Sequence, residues 1–181
     1  MNIDLAAYGR VAEDYARGVA SGEIPACKWL RLAAQAMVQD LARQDDEAFP
    51  WRFDERRVWR ACVFIESLPH VKGSWAARRE LMRLQPWQIW IVASLFGWVS
   101  KKTGRRRYRR ALILVPRKNG KSALAAAIGL YMLAGDGEHG AEVFAGATSE
   151  KQAFEVFRPA RAMAQRTPRM CRRFGLDLGA K

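Results

Sequence analysis

Gly120, Lys121 and Ser122 are the consecutive residues whose types define a chemistry most sharply. A glycine lets backbone approach a ligand, a lysine reaches a phosphate as a point charge, and a serine hydroxyl can hold Mg²⁺. Together they are the end of the phosphate-binding consensus G-x-x-x-x-G-K-[ST], whose first glycine is replaced here by Val115. The tripeptide alone arises by chance in about one chain in ten of this length, so its surroundings decide its meaning. Arg117 stands three residues before Gly120. An arginine in such a loop can supply, from the same chain, the positive charge that stabilises a phosphoryl-transfer transition state. Lys118 and Asn119 complete the candidate nucleotide-contacting loop. Upstream, Gln88 follows Trp87 in the segment LQPWQ. A glutamine amide accepts and donates at once, so beside an aromatic it can read adenine. The ligand these residues point to is ATP with Mg²⁺, with Arg117 and Lys121 in catalytic roles and Ser122 on the metal.

A phosphate loop works when it leaves a buried strand and enters a helix, so that backbone N–H groups face the phosphates. Residues 111–116, ALILVP, are a continuous apolar run of the kind buried on both faces of a parallel sheet. Ser122 to Leu133 is an Ala- and Leu-rich helix, GDGEHG is a turn, and AEVFAGA, residues 141–147, is a second strand. Ser149 with Gln152 makes a capping-box pattern for a helix that runs to about Gln165. The order strand, helix, strand, helix predicts a parallel α/β sheet.

The region before it is predicted helical. Leu30, Ala33, Met37 and Leu41 form one stripe between Lys28 and Arg43. Asp54 is a candidate N-cap, with Phe53 and Val58 placed as a hydrophobic staple, and Val58, Cys62 and Ile65 line the next inner face. Residues 68–75 read as a loop, and Pro86 starts an apolar helix extending to Val99. The predicted fold class is therefore α/β. A helical segment over 1–80 precedes an incomplete P-loop NTPase parallel sheet with flanking helices over 81–181.

The net charge of +13 favours a polyanionic partner, with nucleic acid the commonest. The excess is concentrated in Lys101–Arg110 and Arg158–Arg173, with Arg105, Arg106, Arg107, Arg109 and Arg110 the densest group. Cys27, Cys62 and Cys171 are odd in number and lack CxxC spacing, as expected of reduced thiols rather than a disulfide framework or zinc site. His70 and His139 are assigned no chemistry. The start MNIDLAAYGR lacks a secretion-signal pattern, and the apolar run near Pro86–Val99 is too short to span a membrane. A cytoplasmic location is the expectation.

Taken together, these segments resemble the large terminase subunit of tailed phages. SGEIPACKWLRLA resembles the family's helical start, and LPHVKGSWA with LQPWQIWIVASLFGW is similar to its adenine-contacting Q motif. VPRKNGKSALAAAIGLYML resembles its divergent Walker A, where an arginine commonly stands at the position of Arg117 and the first glycine is often absent. GAEVFAGATSEKQAFEVF is similar to the second strand and helix. The resemblance implies an ATP-driven motor that moves viral DNA into procapsids. Its partners are the small terminase subunit and the portal protein, and it oligomerises as the complete motor. It also implies a Walker B carboxylate pair and an RNase H-like nuclease domain holding two metal ions. No apolar run ending in Asp-Glu follows Lys121, and Asp177 is the only carboxylate after Glu155. The expectation is thus the front part of a terminase from a disrupted prophage gene, a partial reading frame or a cloned fragment. It would bind nucleotide weakly, hydrolyse it negligibly, cut no DNA and be poorly soluble. The competing readings are a non-catalytic remnant that binds DNA or a partner, and another P-loop NTPase such as a helicase or small-molecule kinase.

Overall fold

The computed structural model describes residues 4–179. In chain order the elements are α1 (Ala7–Ser21), α2 (Lys28–Ala42), β1 (Trp51–Phe53), α3 (Glu55–Glu66), α4 (Gly73–Ala77), α5 (Pro86–Gly97), β2 (Trp98–Ser100), α6 (Lys121–Leu130), a π turn (Tyr131–Gly135), α7 (Glu150–Gln165) and α8 (Pro168–Phe174). They fall into two units, one made of the chain up to Cys62 with Leu84–Leu112, the other of Val63–Arg83 with Ile113 onward.

In the first unit α1 packs on α2 and α5. Asp54 caps α3 as expected, its Oδ1 accepting the Arg57 N–H at 3.2 Å. Val58 and Cys62 are buried in this unit, and Ile65 is buried where α3 continues into the other. Phe53 and Val58 converge on Gly97, where a Cβ would lie 2.6 Å from the Phe53 ring and 2.7 Å from Val58 Cγ2. α5 starts with Pro86 at its first position, but it ends at Gly97 rather than Val99. Trp98–Ser100 instead pairs antiparallel with Trp51–Phe53, in the register Trp51↔Ser100, Arg52↔Val99, Phe53↔Trp98. The partner strand lies far back in the chain, so no local period announces this pairing. On α2 the buried residues are Ala34, Met37 and Asp40, while Ala33 of the expected stripe is exposed. The inner face includes a carboxylate, Asp40, which accepts from Arg43 and Arg107.

The second unit is built on α6 against α7, with α8 on the end of α7. Leu124, Ala126, Ala127, Leu130, Tyr131, Met163 and Ala164 form its core. The helix predicted over Ser122–Leu133 is present as α6 and the π turn. Gly135 closes that turn against aromatic rings, its would-be Cβ lying 2.7 Å from Tyr131 Cδ2 and 3.0 Å from Phe64 Cδ2. Ser149 caps α7, its hydroxyl accepting the Gln152 N–H at 3.4 Å. α8, which begins at Pro168 and stops at the left-handed Gly175, was not anticipated.

The parallel sheet is the main departure from expectation. Among the described residues the only sheet is the two-stranded antiparallel β1–β2 ribbon. Residues 111–116 and 141–147 belong to no strand. Leu112, Leu114 and Phe144 are 85%, 83% and 85% exposed. Such composition suits burial on both faces, but a strand also needs neighbours for its N–H and C=O groups. Among the described residues neither run has an adjacent strand, so both stay single. The fold shown is mixed and mainly helical, with a two-stranded antiparallel sheet. No helix among the described residues is long and apolar enough to cross a membrane.

Candidate functional site

The loop before α6 has an unusual backbone. Lys118 (φ 68°) and Gly120 (φ 72°) are both left-handed, on either side of Asn119. Left-handed residues in a short turn are a backbone pattern found in anion-binding nests. The Asn119 side chain braces the turn, its Nδ2 donating to the carbonyls of Pro116 at 3.4 Å and Arg117 at 3.3 Å. A Cβ at Gly120 would meet nothing within 4 Å, so the glycine serves the backbone angle rather than a close contact. At Lys118 the same region holds a bulky residue, at a cost of about 1–2 kcal/mol.

α6 begins at Lys121, so its first-turn N–H groups lack intrahelical acceptors and add the positive end of the helix dipole. Buried Leu124 anchors that turn in the core. Ser122 is half-buried, whereas Arg117, Lys118 and Lys121 are exposed. The three cationic side chains make no hydrogen bond or ion pair among the described residues. The loop thus gathers Arg117, Lys118, Asn119, Gly120, Lys121 and Ser122 into one open, positively charged turn.

Gln88 and Trp87 sit on the first turn of α5, in the other unit. Gln88 is buried, and its Oε1 accepts the Gln85 N–H at 2.9 Å. That bond satisfies an orphan donor at the helix start, so the side chain has a structural duty at the N-terminus of α5. Trp87 is half-buried.

The basic segment 101–110 is not uniformly a surface. Arg107 donates from Nη1 to Asp40 Oδ2 at 2.5 Å, with its side chain 21% exposed and that of Asp40 3%. Its guanidinium also lies over the rings of Trp98, Trp51, Phe49 and Tyr108, at 5.0–5.7 Å from their centroids. Arg106 lies 5.3 Å from the Phe96 ring centroid. Lys101 is exposed and donates to the Asp46 carbonyl, while Lys102, Arg105, Arg109 and Arg110 are the exposed cations of the segment whose side chains no ring, carboxylate or carbonyl claims among the described residues. Asp40, three residues after Met37 on the inner face of α2, was the available signal: a carboxylate there requires a cation. Burial raises the pKa of Tyr108 above its ordinary value; Arg107 opposes that shift and Asp40 reinforces it. In the second segment, Arg161 donates to the Gly179 carbonyl and Arg166 to that of His70.

A family model described as "Terminase large subunit, ATPase domain" matches residues 86–175. No curated protein and no solved structure matches the chain.

Proposed function

Residues 86–175 make this chain part of a terminase large subunit, and on that premise we propose that its loop 115–122 is a divergent Walker A that binds Mg-ATP. The observation that carries the reading is the pair of left-handed residues, Lys118 and Gly120, at the entrance to α6. Their N–H groups suit the β-phosphate, as in phosphate nests generally. Lys121 extends a charge toward the β- and γ-phosphates, and Arg117 supplies the finger that steadies charge developing on the γ-phosphate. The donor set fits the metal in part. The Ser122 hydroxyl is one oxygen ligand, and phosphate oxygens and water are the usual others. Bound there, Mg²⁺ would neutralise phosphate charge. Gln88 and Trp87 are proposed to contact adenine, and Lys118 and Asn119 to line the phosphates.

The same reading makes the chain part of an ATP-driven motor translocating double-stranded DNA, with the small terminase subunit and portal protein as partners. The exposed Lys102, Arg105, Arg109 and Arg110 are its candidate phosphate contacts. They equally favour a second reading, a module that binds DNA without using ATP.

Equilibrium binding of a fluorescent ATP analogue with Mg²⁺ separates the two, comparing the native chain with Lys121→Ala. Binding that weakens at least tenfold in the variant supports the nucleotide site. Equal binding in both, or none in either, would sink it and leave the DNA-binding module.

A further inference from the structure

We propose that the second unit carries a separate site for a phosphate-bearing anion, in the cavity beside α4. The cavity measures about 570 Å³ and is lined by Ser67, His70, Arg79, Leu81, Arg166 and Thr167, among others. That volume falls within the range of small-molecule sites. Its frame is clasped by backbone bonds: His70 N–H donates to the Glu80 carbonyl at 2.9 Å, and Met82 N–H to that of Leu68 at 2.8 Å.

Two arginines line it, and no carboxylate does. Arg166 is spent only on the His70 carbonyl, at 3.0 Å, and Arg79 has no side-chain partner among the described residues. The neighbouring cations are already satisfied, Arg78 by Glu80 and Lys72 by Glu155. A cavity with two unneutralised guanidinium groups selects an oxyanion, and planar arginine forks match phosphate oxygens. Pro69, Ala76, Ala77 and Leu81 give it an apolar wall for the group that carries the phosphate.

The backbone supplies a second, independent argument. Arg79 has φ 57°, in the left-handed region. It follows the C-cap Arg78 of α4, and its N–H donates to Ala76 and that of Glu80 to Trp75. This is the position after a helix end where glycine is strongly preferred. An arginine there is strained for the fold alone, and strain at a cavity wall points to the side chain's use.

Titration calorimetry with pyrophosphate tests this on the native chain, Arg79→Gly, Arg166→Gln and Lys121→Ala. Arg79→Gly is expected to raise the melting temperature yet weaken pyrophosphate about tenfold or more, as loss of a charge-assisted hydrogen bond does. Arg166→Gln is expected to weaken it similarly, and Lys121→Ala to retain it at this site. Unchanged affinity in Arg79→Gly, loss of all binding in Lys121→Ala, or no binding to the native chain at millimolar pyrophosphate would each overturn the proposal. Competition by a 5′-phosphorylated dinucleotide would identify the source as a nucleic-acid end, and its failure to compete a free phosphate compound; either supports a phosphate site.

Discussion

Replacing Arg107 with alanine should destabilise the first unit by about 3 kcal/mol yet leave DNA affinity unchanged. Asp40 is 2% exposed, and its two oxygens have separate donors. Oδ1 takes Arg43 Nε at 3.0 Å and Nη2 at 2.5 Å, while Oδ2 takes Arg107 Nη1 at 2.5 Å. Without Arg107, Oδ2 is buried and loses that donor, and an orphaned charged acceptor costs about 1.5–3 kcal/mol. The lost ring contacts add about 0.5–1 kcal/mol. Arg43 still offsets the charge, which keeps the total near the lower edge of the about 3–5 kcal/mol for a broken buried pair. Urea denaturation followed by tryptophan fluorescence reads this directly. At an m-value of about 1.5 kcal/mol/M, the midpoint falls by about 2 M. Exposed Arg109→Ala should stay within about 0.5 kcal/mol of the native chain. In DNA binding the order reverses. Each lost phosphate contact reduces the slope of log K against log salt by about 0.9, so Arg109→Ala should flatten it and Arg107→Ala should not. An unmoved urea midpoint for Arg107→Ala, or a flattened salt slope equal to that of Arg109→Ala, would refute the assignment of Arg107 to the core.

Gly97→Ala should lower stability by about 1–3 kcal/mol in the same urea assay, because its Cβ would sit 2.6 Å from the Phe53 ring and 2.7 Å from Val58. Lys118→Gly should stabilise the second unit by up to about 1 kcal/mol by relieving its left-handed strain; a lower melting temperature would show that the lysine side chain holds the loop. Tyr108 has its pKa raised above 10.0, chiefly by burial. Stability from its neutral phenol is therefore fully present below the unfolded value and lost as pH climbs through the folded one. Above pH 10 the native chain should lose stability faster than Tyr108→Phe, and absorbance titration of the variant should keep the late-ionising component of Tyr15, which burial also raises, while losing that of Tyr108. In Arg107→Ala that component should move later still, since the opposing cation is gone.

What the sequence by itself determined lies within a turn or two of chain. The caps at Asp54 and Ser149, the proline start of α5, and the buried face Val58, Cys62 and Ile65 all formed where the residue pattern put them. Each depends on neighbours three or four residues away, which the residue order specifies. The turn before α6 was legible for the same reason, since the polar residues 117–120 and the apolar helix that starts at Lys121 are adjacent in the chain. Tertiary structure decided the rest. The β1–β2 pairing stops α5 early by joining segments far apart in sequence. Arg107 became a core residue because Asp40, 67 positions away, draws it in, where the sequence showed only one more charge in a basic run. The left-handed Arg79 and the distant Arg166 meet around one cavity that neither segment announces. The apolar runs 111–116 and 141–147 show the limit in the other direction. Side-chain composition can mark a segment as a strand, but a ladder also needs a second backbone at hydrogen-bonding distance, and no single segment can encode its neighbour.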